Sequence, residues 1–261
     1  MIFSNTIKQN NLKKDEVIIY GRHASLAALS NKNRFIKKIL LSKNNKELEN
    51  MVLTKIKHSE DKHLLEIVEK KSLDRIVGKN IKHQGILLVC IKLNKQKIEG
   101  ELDINRYKIG VVLDKITDPN NVGAIYRSAV CFNIDFIINL ERDSVRETGA
   151  LLNAACGSFE SINTFYTNNL YSCIKFFKKN NWWVLGTDLN ADLNINSFFT
   201  IHNDIKKILI VLGSEGDGAR RLTKEKCDFL VKIPIKENNS LNVSNAAAIF
   251  FYELKRNLKL Y

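Results

Sequence analysis

Three segments in the second half of the chain each set glycines or uncharged polar groups between an apolar run and a helical pattern. The first is Asp118-Pro119-Asn120-Asn121-Val122-Gly123-Ala124-Ile125-Tyr126-Arg127. The second is Leu212-Gly213-Ser214-Glu215-Gly216-Asp217-Gly218. The third is Ser240-Leu241-Asn242-Val243-Ser244-Asn245-Ala246-Ala247-Ala248, preceded by the strand end Lys232-Ile233-Pro234-Ile235. Ligands of open α/β sheets bind where strands hand over to helices. Three such junctions in one half of a chain therefore predict an α/β fold with one composite site.

The surrounding pattern agrees. Apolar runs at 109–113, 136–140, 162–165, 182–185, 208–212 and 229–235 read as strands. Helical patterns fall between and after them, at 122–132, 149–156, 170–179, 222–227 and 243–258. Such alternation predicts a parallel sheet covered on both faces. Earlier, strands at 17–20, 35–41, 64–68 and 85–90 alternate with helices at 23–29, 47–57 and 72–77, with Ser72 as a cap. That is a small α/β domain. The expected organisation is a polar tail at 1–16, a first domain at 17–92, a charged linker at 93–107 and a second domain at 108–261.

Composition removes several classes. Hydrophobic residues make up 44%, enough for a sizeable core. No apolar run approaches the roughly 18 residues of a membrane span, so no membrane partner is expected. Met1 to Glu16 is rich in Asn and Lys and holds no apolar stretch, so no secretory signal is expected. Cys90, Cys131, Cys156, Cys173 and Cys227 are scattered and odd in number, which points to reduced thiols and a cytoplasmic location. His23, His58, His63, His83 and His202 show no metal-ligand spacing, so no metal is expected. The net charge of +13 is concentrated in residues 1–95, which hold 20 Lys and Arg against 9 Asp and Glu. A basic first half joined to a nearly neutral second half suits a polyanion-binding module attached to something else.

Residue by residue, each segment has an ordinary reading as well. Pro119 biases Asp118 away from the helical region, Asn121 can cap the helix that follows, and Arg127 then falls on its second turn. The Gly213–Gly218 loop lacks the Gly-Lys-Ser/Thr ending of a phosphate-binding loop and the spacing of a dinucleotide fingerprint. It remains a turn, or a loop whose backbone can approach a ligand closely. Ser240, Asn242 and Ser244 can supply an N-cap, and the alanines a flat packing face. His83 reads as a turn residue, and Trp182 and Trp183 as core.

Together, in order and spacing, the three segments resemble the three motifs of the SpoU (TrmH) family of RNA ribose 2′-O-methyltransferases, within the SPOUT superfamily. The first half resembles that family's L30e-like substrate-binding domain, in Tyr20-Gly21-Arg22-His23-Ala24 and Lys82-His83-Gln84-Gly85. The resemblance covers about residues 17–258. The two-domain form is most similar to the bacterial enzymes that methylate a guanosine of 23S rRNA. It implies a parallel-sheet SPOUT domain with a C-terminal trefoil knot, an exception to unknotted connection. It also implies S-adenosylmethionine as co-substrate, no metal, and a homodimer. By motif position Gly213, Ile233 and Leu241 would contact the cofactor, while Asn121, Arg127, Glu215, Ser240 and Asn242 match active-site positions.

The sulfonium already activates the methyl group, so the enzyme's task is to generate and align a ribose oxygen. The resemblance implies Arg127 as activator of the 2′-hydroxyl. A guanidinium normally stays protonated, so Arg127 acts either as base or as electrostatic stabiliser of a forming alkoxide. Asn121 and Glu215 would orient it or an RNA phosphate, and Ser240 and Asn242 would shape the pocket. The alternatives are a tRNA ribose methyltransferase, a non-catalytic RNA-binding homologue, and a nucleotide hydrolase. The missing Lys-Ser/Thr weighs against the last.

Overall fold

Strands that read as unbroken apolar runs are buried along their whole length, as expected of a sheet covered on both faces. All residues of Ile109–Asp114 and Ile208–Gly213 are inaccessible or nearly so. The computed structural model describes residues 12–56, 59–98, 103–214, 218–236 and 239–258. They form two compact units, one of residues 1–94 with 146–161, the other of 95–145 with 162–261.

The first unit contains β1 (Glu16–Tyr20), β2 (Ile36–Ser42), β3 (Leu65–Val68) and β4 (Ile86–Ile91). Their order is β1-β4-β2-β3, with β4 antiparallel to both neighbours and β2 parallel to β3. Helices Arg22–Ser30, Lys46–Lys55 and Lys70–Val77 accompany the sheet. The Lys46–Lys55 helix starts where the Asn45 side chain accepts from Leu48 N, and it buries Leu48 and Val52 four residues apart. Ser72 is not a cap: the next helix begins at Lys70 after extended Glu69. Ile18, Tyr20, Leu40, Leu73, Val77 and Leu87 form a shared core cluster. His83 is buried; its Nε2 lies 3.0 Å from Asp74, and its Nδ1 accepts from Gly85 N at 3.0 Å. It is a turn residue, as expected, just before the positive-φ pair Gln84 and Gly85.

The second unit is a parallel sheet. Among the described residues it has eight strands in the order β10-β12-β9-β11-β6-β7-β8-β5. They are β5 (Gln96–Lys97), β6 (Ile109–Asp114), β7 (Phe136–Leu140), β8 (Asn163–Thr167), β9 (Trp183–Thr187), β10 (Leu193–Asn194), β11 (Ile208–Gly213) and β12 (Phe229–Lys232). Helices Pro119–Cys131, Leu170–Lys179, Ile195–Ile201 and Val243–Asn257 connect or follow them. Asn169, Asn194 and Asn242 each cap a helix through the side-chain oxygen, which gives the Asn-rich composition a structural use. Phe136 stacks on Phe177 at 5.8 Å and touches Phe165 and Trp182 at the centre of the core.

Several sequence expectations shift. β12 ends at Lys232 rather than 235, because Pro234 has no N–H for the ladder. The polar 93–107 stretch is partly structured: β5 edges the sheet, and Ile98 and Ile104 join the core. Residues 146–161, continuous in sequence with the second half, pack in the first unit. Trp182 is core, but Trp183 is 40% exposed.

Candidate active site

Motif one opens at the end of β6. Asp114 is fully buried and accepts from Arg220 Nη2 at 2.8 Å, Arg220 Nε at 2.9 Å and Thr223 Oγ1 at 3.0 Å. It thereby fixes the chain leaving the glycine loop. After it, Asp118 rather than Asn121 caps the Pro119–Cys131 helix, accepting from Asn120 N at 3.0 Å. Pro119 takes the first helical position, where its missing N–H has no intrahelical partner to lose. Asn121 therefore lies inside the first turn and faces inward, 9% exposed. Val122, Ile125, Tyr126 and Ala129 form the buried face. Arg127 is on the third turn, not the second, and is exposed on the opposite side. Tyr126 is inaccessible, and its hydroxyl accepts from Asn139 Nδ2 at 2.8 Å, so an unusually polar core side chain is satisfied.

Motif two turns on Gly213. It stands opposite Asp114 in the β11–β6 register. A Cβ there would lie 1.9 Å from Ala219 N and from Gly218 C. No side chain fits where the returning backbone crosses, which explains the glycine without invoking its dihedral freedom. Gly218 N donates to Ser214 O at 3.1 Å, and Gly218 has φ +65°. Glu215 lies outside the described residues.

Motif three enters through Ile233 and Ile235 and leads into the Val243–Asn257 helix, which packs against the Pro119–Cys131 helix. Asn242 is its cap, accepting from Ser244 N at 2.9 Å and Ser244 Oγ at 2.6 Å. Its Nδ2 donates to Asn121 Oδ1 at 3.0 Å. Motifs one and three are thus joined side chain to side chain.

Motifs two and three also share a cavity. Gly213, Ile233, Ser240 and Leu241 all line it. Val243, Ala246 and Phe250, spaced three and four along the final helix, make its apolar floor. Asn121, Arg127 and Asn242 are not among its lining residues. The sequence reading missed its polar rim: Thr187 at the end of β9, Asp188 and Asn190 just after it, and Lys224. Asp188 accepts from Asn190 N at 3.0 Å and pairs with Lys224 at 2.9 Å. Burial raises its carboxyl pKa, but the Asn190 N–H and the Lys224 ammonium outweigh that and hold it below the usual range. The available signal was Thr187-Asp188 directly after an apolar strand, the same junction rule that found the motifs. Among the described residues no group of three His, Cys, Asp or Glu is arranged to hold a metal, and no helix is long and apolar enough to cross a membrane.

Residues 108–252 match the model of the SpoU rRNA methylase family. The chain belongs to that family. Residues 18–96 of this SpoU methylase match the RNA 2′-O ribose methyltransferase substrate-binding model. It is 33% identical over 248 residues to a putative TrmH family tRNA/rRNA methyltransferase of Staphylococcus aureus (strain COL), covering 93% of this chain and 96% of that one. Among solved structures it is similar to the SpoU methyltransferase AviRb from Streptomyces viridochromogenes, with TM-score 0.74, 20% identity and coverage of 94% and 90%. A putative TrmH-family RNA methyltransferase from Porphyromonas gingivalis aligns over 98% of this chain and 99% of its own, with TM-score 0.71 and 19% identity. At these identities the structural likeness carries the fold. By its family, this chain is an RNA methyltransferase.

Proposed function

We propose that this SpoU methylase transfers a methyl group from S-adenosylmethionine to the ribose 2′-hydroxyl of a guanosine in 23S rRNA. The observation that carries the reading is the single cavity where motifs two and three meet, tied to motif one by the Asn121–Asn242 hydrogen bond. The residues present fit the co-substrate: an apolar floor for an adenine and the methylene groups beside the sulfonium, and a rim of hydroxyl, amide and carboxylate groups for its polar ends. An AviRb structure was solved in complex with AdoMet. When bound, that group supplies an electrophilic methyl.

The protein's own part is positioning. Gly213, Ile233 and Leu241 hold the co-substrate, and Ser240 shapes the mouth of the cavity. Asn121, bound by Asn242, ties the first turn of the helix that carries Arg127 to motif three. Arg127 keeps its charge and stabilises the forming 2′-alkoxide while an acceptor other than Arg127 takes the hydroxyl proton, with Glu215 orienting the guanidinium or an RNA phosphate. Residues 17–92 hold the RNA through phosphate contacts. The same reading includes a homodimer and a C-terminal trefoil knot in a cytoplasmic enzyme. The half-exposed Tyr252 and the partly exposed Ile249 beside the Arg127 helix support the dimer. The return of β12 to pair with β9, on the side away from β11, supports the knot.

The test is methyl transfer from labelled S-adenosylmethionine to unmodified 23S rRNA and to bulk tRNA, with ribose-methylation mapping. One 2′-O-methylated guanosine in 23S rRNA is expected. Labelling of tRNA alone would keep the chemistry and replace the substrate, an outcome the tRNA/rRNA naming of the relatives makes worth testing. Labelling of neither would overturn the reading.

A further inference from the structure

The helix Leu170–Lys179 buries Leu170, Cys173, Ile174 and Phe177. Its other face presents Tyr171, Lys175 and Lys178, spaced four and three apart. Tyr171 is 50% exposed although it is a large aromatic. Two adjoining concavities meet at this ring, sharing Tyr171, Ile174 and Lys226. One carries Lys175, Lys178 and Lys179; the other carries Arg142, Arg220 and Arg221, with Leu222 67% exposed at its lip. Lys226 Nζ sits 5.3 Å from the Tyr171 ring centre.

The charge balance of this groove is one-sided. Its walls hold the carboxylates of Asp143 and Glu225, and Asp228 stands nearby. Asp228 is paired to Lys178 at 2.6 Å, Asp143 to Lys115 at 3.4 Å, and Glu225 lies 3.7 Å from Arg221. Arg220 is committed to Asp114. Among the described residues, Arg142, Lys175 and Lys179 have no ion pair, and Lys226 has only the ring. A chain of unpaired cations around an exposed ring suits a ligand with regularly spaced negative charge and flat apolar faces. Single-stranded nucleic acid has both.

We propose that this groove, centred on Tyr171 and flanked by Arg221 and Lys226, is a second RNA-binding surface, located in the methyltransferase unit itself, where a base of the substrate strand stacks on Tyr171 and the cations contact the adjoining phosphates. It rests on the reading that RNA is the substrate, and adds where the strand runs on this unit. The groove stands apart from the co-substrate cavity, with which it shares no lining residue.

The experiment uses the full chain and a fluorescein-labelled, mixed-sequence single-stranded RNA of about 20 nucleotides, long enough to span a single-strand site. Tyr171→Ala weakens binding about fivefold or more, whereas Tyr171→Phe stays within about twofold. Arg221→Gln with Lys226→Gln makes the salt dependence shallower by about 1.4 log units per log unit of salt. S-adenosylmethionine affinity, measured by calorimetry, is unchanged in all of them. Cross-links from 4-thiouridine-substituted RNA to the wild-type protein fall on 170–179 and 220–226. Wild-type RNA affinity in both Tyr171→Ala and the double variant overturns the proposal, as do cross-links confined to other peptides. Wild-type protein that binds and cross-links here but methylates no RNA would keep this surface and remove the proposed reaction; protein that methylates with the groove variants unaffected would do the reverse.

Discussion

The first unit seals a cluster of three charges away from water, and the second sets an ion pair at the edge of a cavity. In the first, the Arg34 guanidinium is wholly inaccessible between Glu147 and Glu160, whose side chains are 7% and 4% exposed. Asn31 adds a hydrogen bond to Glu160 at 2.6 Å, Leu93 N donates to Glu147 at 3.1 Å, and Arg34 donates to Ile91 O at 3.1 Å. One cation faces two carboxylates, and burial pushes the Glu147 carboxyl upward against the pull of Arg34. In the second unit, Asp188 is held low by Asn190 N and Lys224 while lining the cavity where motifs two and three meet. Sealed charge of the first kind specifies how 146–161 packs with its unit. Rim charge of the second kind remains available to a ligand. The difference separates charge that builds the scaffold from charge that borders a cavity.

The largest effect is expected from breaking the sealed cluster. Arg34→Met strands two buried carboxylates and should lower unfolding free energy by about 3–5 kcal/mol, read by urea denaturation. Adding Glu147→Gln and Glu160→Gln should restore part of that loss. A single variant within about 1 kcal/mol of wild type would show the cluster is not what fixes the segment. Next, Gly213→Ala forces the 218–219 backbone to move, since a Cβ would lie 1.9 Å from it. S-adenosylmethionine affinity should fall about tenfold or more, the scale of one lost interaction of roughly 1.4 kcal/mol; unchanged affinity would detach the glycine loop from the cavity. Asn242→Ala removes a helix cap and should cost about 1 kcal/mol of stability, with methyl transfer falling further than stability explains. Equal changes in both would leave Asn242 a cap and nothing more.

The smallest effect concerns acid. Asp188 has a folded pKa below the ordinary aspartate value near 3.8. Its contribution is therefore fully present above that value and is lost as pH falls through the lowered one. Glu147 has the opposite sign: its folded pKa is raised, so the penalty for its ionised form disappears as pH falls through that raised value. Asp188→Asn should flatten the acid limb of the stability profile, and Glu147→Gln should flatten the limb above the usual glutamate range. Profiles that do not differ would mean the two sites are electrostatically alike.

Local pattern made much of the second unit legible. The strand Phe136–Leu140 and the helix Leu170–Lys179 fall where periodicity places them, because long buried runs and an Asn cap are local signals. Two-residue edge strands such as Gln96–Lys97 and Leu193–Asn194 are too short to show a period. The junction rule marked the segments, the family resemblance singled out Gly213, Ile233, Ser240 and Leu241 within them, and these share one cavity. What it could not reach were pairings set by tertiary structure. Asn121 and Asn242 are 121 residues apart, and Asp114 and Arg220 are 106 apart. The placement of 146–161 likewise depends on glycine contacts invisible in sequence: a Cβ at Gly149 would lie 2.5 Å from Ile18 O. Residue type marked Asn121 as important but mistook it for the cap that Asp118 supplies.

The central claim is a division of labour, with motifs two and three holding the co-substrate and motif one acting on the ribose. Its most direct test is Arg127→Ala, assayed in parallel for S-adenosylmethionine affinity by calorimetry and for single-turnover methyl transfer. The account predicts affinity within about twofold of wild type and a transfer rate lower by about 10²–10³, the scale of one lost transition-state contact. Loss of both in equal measure would make Arg127 a structural residue and contradict the division.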